Sequence, residues 1–386
     1  MSLPSSTPRG RGPTQPGARI TNLDAVRGVA VLGILPMNVV SYALVDPAYF
    51  NVDSAGSNNA LDRAIGLLGE VFVDQKFMGL FSMLFGAGIV LFADRAAAKR
   101  VHPVLLSIWR NVLLLGIGLF HAWLWEGDVL IVYALCAPIL ILVRKLPPAL
   151  LVLTGAAVFL VAPIANTIAQ ATVDEPSDLA NVWVQAADPE AEPSDEVGLA
   201  LLVDFFARAL GMMLIGAALY RLGVLNGTRP AAFYRRLAGW GLGIGIPLAV
   251  AGAAWMAVDG WSIDVALVGS VPNSLATIPM VLGYLGVITL WNAAPDSPAR
   301  LRIRAVGRMA LTNYLAQTGL GLAVFSVALG AFDASRTTAL AFVVVVWALE
   351  LWWSTAWLER FRFGPVEWLW RTATYFRLQP IVVDQT

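Results

Sequence analysis

Arg27 and Asn38 stand at the two ends of RGVAVLGILPMN, an otherwise apolar stretch near the start of the chain. A charged side chain in the middle of a bilayer costs at least about 2.5 kcal/mol, so such residues usually face a cavity or a partner. A guanidinium can bind phosphate oxygens through its planar fork, and an amide can donate to a carbonyl oxygen. The alternatives are structural. Arg27 can reach the interface or pair with Asp24, and Asn38 can make an interhelical hydrogen bond.

His121 is followed by AWLWEGD, which places Glu126 and Asp128 in a short turn after a predicted helix. A histidine within reach of a carboxylate is the usual pair of general base and orienting group. The alternative is a histidine that hydrogen-bonds at the membrane interface beside tryptophans. Arg110 lies two turns into the same predicted helix, where its side chain reaches the membrane surface only in a strained conformation. It is a second candidate for a functional arginine.

Membrane helices must position these residues, because the chain of 386 residues is 58% hydrophobic and only 13% charged. Soluble domains carry about 25% charged residues, and apolar runs of about 20 residues predict helices that cross a bilayer. The pattern predicts an all-α, polytopic bundle of about ten transmembrane helices. The predicted spans are 24–45, 77–93, 104–123, 128–143, 149–170, 199–221, 237–258, 265–291, 305–329 and 337–358.

The distribution of basic residues predicts that both termini are cytoplasmic. With that orientation the cytoplasmic segments hold most of the 26 Lys and Arg residues, whereas the outer segments hold only Arg63, Lys76 and Arg336. Cytoplasmic loops of membrane proteins carry this excess of positive charge. The sequence therefore predicts a multi-pass protein of the cytoplasmic (plasma) membrane.

The chain divides by composition into five predicted segments. The first residues are rich in Pro, Gly and Ser, which is typical of disorder, and 171–198 holds acids and prolines but no Lys or Arg. An amphipathic stretch at 61–72 is expected to insert partly into the membrane. The predicted order is a disordered cytoplasmic tail (1–19), a first membrane half of five helices (20–170), an acidic, solvated outer loop (171–198), a second membrane half of five helices (199–361) and a cytoplasmic interfacial tail (362–386).

Further polar residues fall within the predicted spans and indicate either a hydrated cavity or hydrogen bonds between packed helices. Asp204 and Arg208 have the i, i+4 spacing of an ion pair on one helix face. The others are Ser270, Asn273, Ser274 and Thr277 in the eighth span, Thr312, Asn313 and Gln317 in the ninth, and Glu350 in the tenth. The residue types alone do not decide between cavity and packing for this group.

Composition excludes several kinds of site. The single cysteine, Cys136, cannot form an internal disulfide, and one cysteine with two histidines cannot build a Cys- or His-rich metal site. The 26 basic residues are balanced by 26 acidic residues, so the chain has no overall basic surface for nucleic acid. We therefore expect no metal cofactor and no nucleic-acid partner.

Five motifs follow one another along the chain: ITNLDAVRGVAVLGILPMNVVSY, KFMGLFSMLFGAGIVLF, GLFHAWLWEGDVLIVYAL, GRMALTNYLAQT and FGPVEWLWRTATYF. In these motifs the sequence resembles the YeiB-like family of bacterial membrane proteins, from about residue 20 to the end. That family resembles, more distantly, two groups of transmembrane acyltransferases: the heparan-α-glucosaminide N-acetyltransferase group and the type-three acyltransferases of cell-envelope modification. The resemblance implies transfer of an acyl group from cytoplasmic acyl-CoA to a hydroxyl or amine near the outer face.

The resemblance to type-three acyltransferases implies a role for Arg27, which matches an arginine of their first helix. Eleven residues later those enzymes have a histidine, but this chain has Asn38. The acetyltransferase group has its histidine before the second span, where this chain reads VDQKF. An amide is not a general base near neutral pH. If acyl transfer takes place, the base must therefore be another residue, and His121 is the only histidine within a predicted span.

The implied mechanism uses a donor site at the cytoplasmic face and an acceptor site at the outer face. Arg27 and Arg110 would hold the phosphates of acyl-CoA, acetyl-CoA being the expected donor, at the cytoplasmic mouth. Asn38 would donate to the thioester oxygen. His121, oriented by Asp128 or Glu126, would deprotonate an acceptor that arrives from outside. The acceptor is an envelope component or a small molecule that the sequence does not identify.

Two other classes of function fit the same sequence. A transporter or exporter of a small or lipidic solute would use a similar polar cavity but would consume no thioester. A structural or sensing membrane protein would use the acidic outer loop as a partner site. A transporter needs no nucleotide site, so binding of CoA to Arg27 and Arg110 discriminates between these functions. A homo-oligomer in the lipid bilayer is compatible with each of them.

Overall fold

The computed structural model describes residues 20–98, 102–328 and 334–383, and within them the chain forms α-helices joined by turns and no β-strand. The predicted disordered tail, 1–19, lies outside the described residues. The helices are α1 (Thr21–Ala43), α2 (Ala60–Phe72), α3 (Lys76–Ala98), α4 (Pro103–Leu124), α5 (Leu130–Val143), α6 (Pro148–Gln170), α7 (Asp195–Arg221), α8 (Ala231–Val258), α9 (Val271–Asn292), α10 (Pro298–Arg308), α11 (Ala310–Leu322), α12 (Arg336–Arg360) and α13 (Pro365–Tyr375).

The all-α, polytopic class predicted from composition is confirmed. Within the described ranges, eight helical segments are long and apolar enough to cross a membrane. They correspond to α1, α2 with α3, α4, α6, α7, α8, α9 and α12. Many of their apolar side chains point outward, as a lipid-facing surface requires. Leu105 and Val258 are 68% and 88% exposed, for example.

Two of the predicted spans have a different form. The span at 128–143 is α5, a helix of 14 residues that is about 21 Å long at 1.5 Å per residue, which is less than the hydrocarbon thickness of about 30 Å. The span at 305–329 is broken at Met309 between α10 and α11, and it continues as π-helical turns over Ala323–Ala328. The number of ten spans therefore stays a prediction.

The two predicted membrane halves pack against each other. Helix α1 contacts α9, α10, α11 and α12, and α3 packs along α7. The crossing of α1 and α10 requires glycine at two facing positions: a Cβ on Gly28 would overlap the backbone oxygen of Ile303, and one on Gly307 would overlap that of Asp24. Small residues at such crossings let membrane helices approach closely. The first helix is thereby fixed at the centre of the bundle.

The face that the sequence predicts to be the outer one is more buried than expected. Lys76 and Arg336, predicted to lie in outer segments, are 0% and 6% exposed. The acids of the loop 171–198 are mostly exposed, but Trp183 of that loop is buried and donates through Nε1 to the backbone oxygen of Trp261 at 2.9 Å. A solvated acidic loop is therefore an incomplete description, because apolar residues of the loop pack into a core cluster with residues of α6, α7 and α8.

Candidate functional site

The turn between α4 and α5 holds a buried histidine and carboxylate together. Nδ1 of His121 lies 2.7 Å from Oδ1 of Asp128, and the two side chains are 2% and 0% exposed. The other oxygen, Oδ2 of Asp128, accepts the backbone N–H of Ile131 at 2.9 Å and so caps the first turn of α5. The carboxylate is therefore fixed from two sides, and it fixes the histidine ring in turn.

The second ring nitrogen of His121 reaches a different part of the chain. Nε2 lies 2.9 Å from Oγ1 of Thr318 on α11, and that oxygen lies 2.9 Å from the hydroxyl of Tyr42 on α1. Thr318 and Tyr42 are 1% and 3% exposed. With Asp128 ionised, the tautomer that carries the proton on Nδ1 leaves Nε2 as the acceptor for the Thr318 hydroxyl. Three helices thus contribute to one buried chain of hydrogen bonds, which we call the His121 network: Tyr42, Thr318, His121 and Asp128.

Aromatic rings surround the His121 network. The ring centroid of His121 lies 5.1 Å from that of Tyr314 and 5.8 Å from that of Trp125, and the rings of Tyr42 and Trp125 meet edge to face at 4.9 Å. The hydroxyl of Tyr314 is buried and makes no hydrogen bond within the described residues. The network is therefore held in a tight, largely apolar setting in which a misplaced side chain is costly.

Asn38 and Glu126, two of the predicted catalytic residues, lie in different surroundings. Asn38 is buried, 6% exposed, and its side chain lies next to the hydroxyl of Tyr42, at the end of the His121 network. Glu126 is exposed, and within the described residues it forms no hydrogen bond or ion pair with His121. The sequence offered both carboxylates as the orienting group, and the geometry gives that position to Asp128.

Glu126 instead lines an open pocket of about 390 Å³ beside the network. Trp125 lies between the two, since it lines this pocket and also contacts the rings of His121 and Tyr42. The pocket walls are Ser41, Asp46, Ala122, Trp123, Leu124, Trp125, Glu126 and Gly127. The pocket lies at the end of α4 that the predicted topology places at the outer face.

Arg110 lies at the opposite end of α4, among aromatic residues. Its guanidinium carbon is 4.5 Å from the ring centroid of Phe92 and 4.2 Å from that of Trp370. Nε1 of Trp370 also donates to the backbone oxygen of Arg110 at 3.0 Å. Within the described residues, the Arg110 side chain forms no ion pair. Rings that contact an arginine in this way hold its charge without neutralising it.

Two further arginines lie within electrostatic range of Arg110. Arg27 and Arg371 are close enough for their charges to act on it. Arg27 lies 3.6 Å from Asp24, the partner that the sequence offered, and the Arg27 side chain is 31% exposed. We call Arg27, Arg110 and Arg371 the arginine cluster. Arg371 was not predicted, because it lies in a tail whose packing on α4 depends on distant residues.

Helix α13 carries Arg371 and is anchored through Glu367. Its carboxylate accepts the backbone N–H groups of Leu311 and Thr312 at 2.7 and 3.1 Å, and the Thr312 hydroxyl at 2.5 Å. It therefore caps the start of α11 from another helix, where the helix dipole favours an anion. Burial raises the pKa of Glu367, and the hydrogen bonds from Thr312 lower it in part. The C-terminal helix is thereby held against α11 and α4.

A second group of charged and polar residues lies between α2, α3 and α9. Lys76 donates to the backbone oxygen of Glu70 at 2.7 Å and to the side-chain oxygen of Asn273. Asn273 in turn donates to Glu70 at 2.9 Å. The signal in the sequence was the lysine of VDQKF, but a lysine at a predicted span end is normally assigned to solvent.

The predicted ion pair on α7 is confirmed. Nε of Arg208 lies 2.6 Å from Oδ2 of Asp204, and both residues are buried. Asn166 donates to Asp204, and Arg208 donates to Ser274 at 2.7 Å. The ninth and tenth spans show the same pattern, since Gln317 donates to Glu350 at 3.0 Å. These contacts assign the polar residues involved to hydrogen bonds between packed helices.

Comparison with known proteins gives full-length relatives. Residues 219–377 match the family described as "Protein of unknown function (DUF418)". "Uncharacterized protein YeiB" of Escherichia coli (strain K12) is 33% identical over 393 aligned residues, covering 94% of this chain and 98% of the relative. "Uncharacterized protein YxaH" of Bacillus subtilis (strain 168) is 30% identical, covering 96% and 97%. "Uncharacterized 39.9 kDa protein in amylase 3'region" of Bacillus acidopullulyticus is 26% identical, covering 95% and 97%.

Proposed function

The chain belongs to the YeiB-like family of integral membrane proteins, and from this membership and the site geometry we propose that it is a membrane-embedded acyltransferase. The reaction takes an acyl group from cytoplasmic acyl-CoA, with acetyl-CoA as the first candidate, to a hydroxyl or amine acceptor at the outer face. The proposal places the protein in the plasma membrane with both termini in the cytoplasm.

The observation that carries the proposal is the buried contact between His121 and Asp128 at 2.7 Å. A general base needs a fixed ring and a partner that stabilises the imidazolium formed when the base takes a proton. Asp128 supplies both, because it is itself held by the backbone of α5. A histidine with only an interfacial role has no need of a buried carboxylate.

The arginine cluster supplies the donor end. Phosphate groups are bound most effectively by arginine forks, and the charge of Arg110 is not neutralised by an ion pair within the described residues. Arg110 and His121 are eleven residues apart on α4, which corresponds to about 16 Å along a helix axis. Arg27 and Asn38 have the same separation on α1. The nucleotide would bind near the arginines and its acyl arm would extend toward the His121 network.

The acceptor end is the pocket beside Trp125. It opens at the end of α4 away from Arg110, and its exposed carboxylate, Glu126, belongs to it rather than to the catalytic pair. In this proposal Asn38 donates a hydrogen bond to an oxygen that carries negative charge in the transition state. In this proposal Glu126 contributes to acceptor binding, and Asn38, His121 and Asp128 act on the acyl group.

The first experiment measures binding of acetyl-CoA and longer acyl-CoAs to the detergent-purified protein by calorimetry. Arg27→Ala and Arg110→Ala are compared with the wild type. Arg235→Ala is the matched control, because Arg235 is exposed at the start of α8 and its replacement removes the same charge at a different place. We expect saturable binding that the first two variants weaken and the control retains.

Other outcomes argue for different functions. Equal weakening by all three arginine variants would indicate unspecific attraction of an anion and would remove the assigned nucleotide site. No binding by a folded sample would leave the acyltransferase resemblance as one of fold, and transport of a small or lipidic solute would become the function to test.

A further inference from the structure

Both ring nitrogens of His121 are already engaged. Nδ1 faces Asp128 at 2.7 Å and Nε2 faces Oγ1 of Thr318 at 2.9 Å. An acceptor from the outer face therefore has no free nitrogen to approach. The proton that His121 is positioned to take is the hydroxyl proton of Thr318.

The hydroxyl of Thr318 is also placed differently from those of five other helical threonines of this protein. Within a helix, threonine usually donates to the backbone oxygen four residues earlier. Thr154, Thr167, Thr277, Thr355 and Thr374 all do so, at 2.7 to 3.2 Å. The contacts of the Thr318 hydroxyl instead run to Nε2 of His121 and to the Tyr42 hydroxyl. Because the oxygen has one proton, donation to His121 leaves it as the acceptor from Tyr42.

A hydroxyl, an imidazole and a carboxylate in hydrogen-bonded sequence form the arrangement that activates serine and threonine as nucleophiles. We propose that Thr318 is such a nucleophile and carries the acyl group as an ester between donor and acceptor. The identity of the acyl donor in this inference rests on the proposed function. The reactivity of Thr318 does not depend on the proposed function.

The first half-reaction transfers the acyl group to the protein. Oγ1 of Thr318 attacks the thioester carbonyl carbon while Nε2 of His121 takes the hydroxyl proton. The tetrahedral intermediate then collapses, the carbon–sulfur bond breaks, and the sulfur receives the proton from His121. The products are free CoA thiol, an ester on Thr318 and a neutral imidazole, so no further reactant is needed.

The second half-reaction releases the acyl group. A hydroxyl or amine attacks the ester carbon, and His121 takes its proton. The carbon–oxygen bond to Thr318 breaks, and the leaving oxygen receives that proton. The Tyr42 hydroxyl lies 2.9 Å from this oxygen in the resting structure, and donation of its proton would stabilise the negative charge as the oxygen leaves. Asp128 stabilises the imidazolium in both halves.

An ester intermediate fits a protein that lies across a membrane. CoA reaches the site from the side of the arginine cluster, and the acceptor pocket lies at the other end of α4. With the acyl group held on Thr318, the donor can leave before the acceptor arrives. The two substrates then never need to occupy the bundle together, and only the acyl group passes from one side to the other.

The test is acid-quenched mass spectrometry after incubation with acetyl-CoA. Thr318→Val removes the hydroxyl at nearly constant shape, Thr318→Ser keeps a hydroxyl, and His121→Ala removes the base. We expect one acetyl group on the wild-type peptide that contains Thr318, its retention in T318S, and its loss in T318V and H121A. Thr355→Val, at a back-bonded threonine on α12, is the matched control and should keep the label.

A second arm uses p-nitrophenyl acetate, an activated ester that needs no nucleotide site. Labelling of Thr318 by this ester without binding of acetyl-CoA would keep Thr318 as the nucleophile and overturn the donor. Release of CoA thiol at the wild-type rate by T318V would overturn the intermediate and leave the proposed function standing. A label on His121 instead of Thr318, or no label with either reagent, would also overturn it.

Discussion

The carboxylate of Asp128 lies 2.7 Å from Nδ1 of His121, and neither side chain reaches solvent to any extent. The same carboxylate caps α5, so the position of the histidine ring is coupled to the start of the next helix. The two residues lie seven positions apart in the chain, yet the contact requires the turn between α4 and α5 to close tightly.

Replacing Asp128 by Asn should impair catalysis far more than replacing Glu126 by Gln. The amide keeps the shape but favours the wrong tautomer of His121, and loss of an oriented base costs about 10²-fold or more in rate. The measurement is release of CoA thiol from acetyl-CoA, with thermal unfolding to show that both variants are folded. Equal rates in D128N and E126Q would remove the role assigned to Asp128.

Trp370→Leu should weaken acyl-CoA binding, because the ring that lies 4.2 Å from the Arg110 guanidinium is lost. A cation–π contact of about 0.5–2 kcal/mol corresponds to about a 2- to 30-fold rise in Kd. Trp370→Phe keeps an aromatic ring and should lie between the two. Trp352→Leu is the control, since Trp352 is 68% exposed on the surface of the bundle. If W352L and W370L have the same affinity, the aromatic contact does not prepare Arg110 for binding.

Glu367→Ala should lower thermal stability, because α11 loses the carboxylate that accepts its first N–H groups. Unsatisfied buried donors of this kind cost about 1–3 kcal/mol. The control is Glu359→Ala, at an exposed position on α12. Differential scanning fluorimetry in detergent gives the midpoints, and an unchanged Tm in E367A would show that water replaces the carboxylate at no cost.

The burial of Glu367 also predicts that the stability of the protein depends on pH. Burial raises the pKa of Glu367 in the folded protein above its unfolded value, so the folded state binds this proton more tightly. The contribution of the group to stability is then greatest below the unfolded pKa and decreases as the pH rises through the folded pKa. The difference in Tm between wild type and E367A should change in that direction across the acid range. A difference that is constant with pH would contradict the raised pKa.

Replacing one member of the buried ion pair on α7 should lower the stability of the protein more than replacing both members. Asp204→Ala leaves Arg208 buried without its carboxylate, and the expected loss is about 3–5 kcal/mol of stability. The double variant D204A/R208M removes both charges and should be the more stable of the two. Asp296→Ala breaks the Arg304 pair, in which the aspartate side chain is 61% exposed, and should cost about 1 kcal/mol or less. A smaller loss in D204A than in the double variant would contradict this account of the pair.

The proposed orientation can be tested with a membrane-impermeant thiol reagent on intact cells. Cys136 is buried, 2% exposed, so the native chain should react little. Glu190→Cys, in the acidic loop, should react on intact cells, and Arg235→Cys should react only after the membrane is broken, because both side chains are exposed. The opposite pattern would invert the topology and place the arginine cluster outside.

The amino-acid sequence by itself determines that this is a helical membrane protein and where most of its helices lie. Hydropathy and helix length act over about 20 neighbouring residues, so they can be read along the chain. It also identifies the polar residues Arg27, Asn38, Arg110 and His121 as unusual, because each is costly in a membrane. The pairing of Asp204 with Arg208 can also be predicted from the sequence, because residues four positions apart lie on the same face of a helix.

The tertiary structure alone decides which of these residues meet. Thr318 contacts His121 across 197 residues of sequence and Tyr42 across 276, and no periodicity links such positions. A threonine or tyrosine is also inexpensive in a membrane helix, so neither stands out by composition. The burial of Lys76 and the packing of α13 on α4 have the same origin. They depend on how the helices cross, which small residues such as Gly28 and Gly307 permit but do not specify in advance.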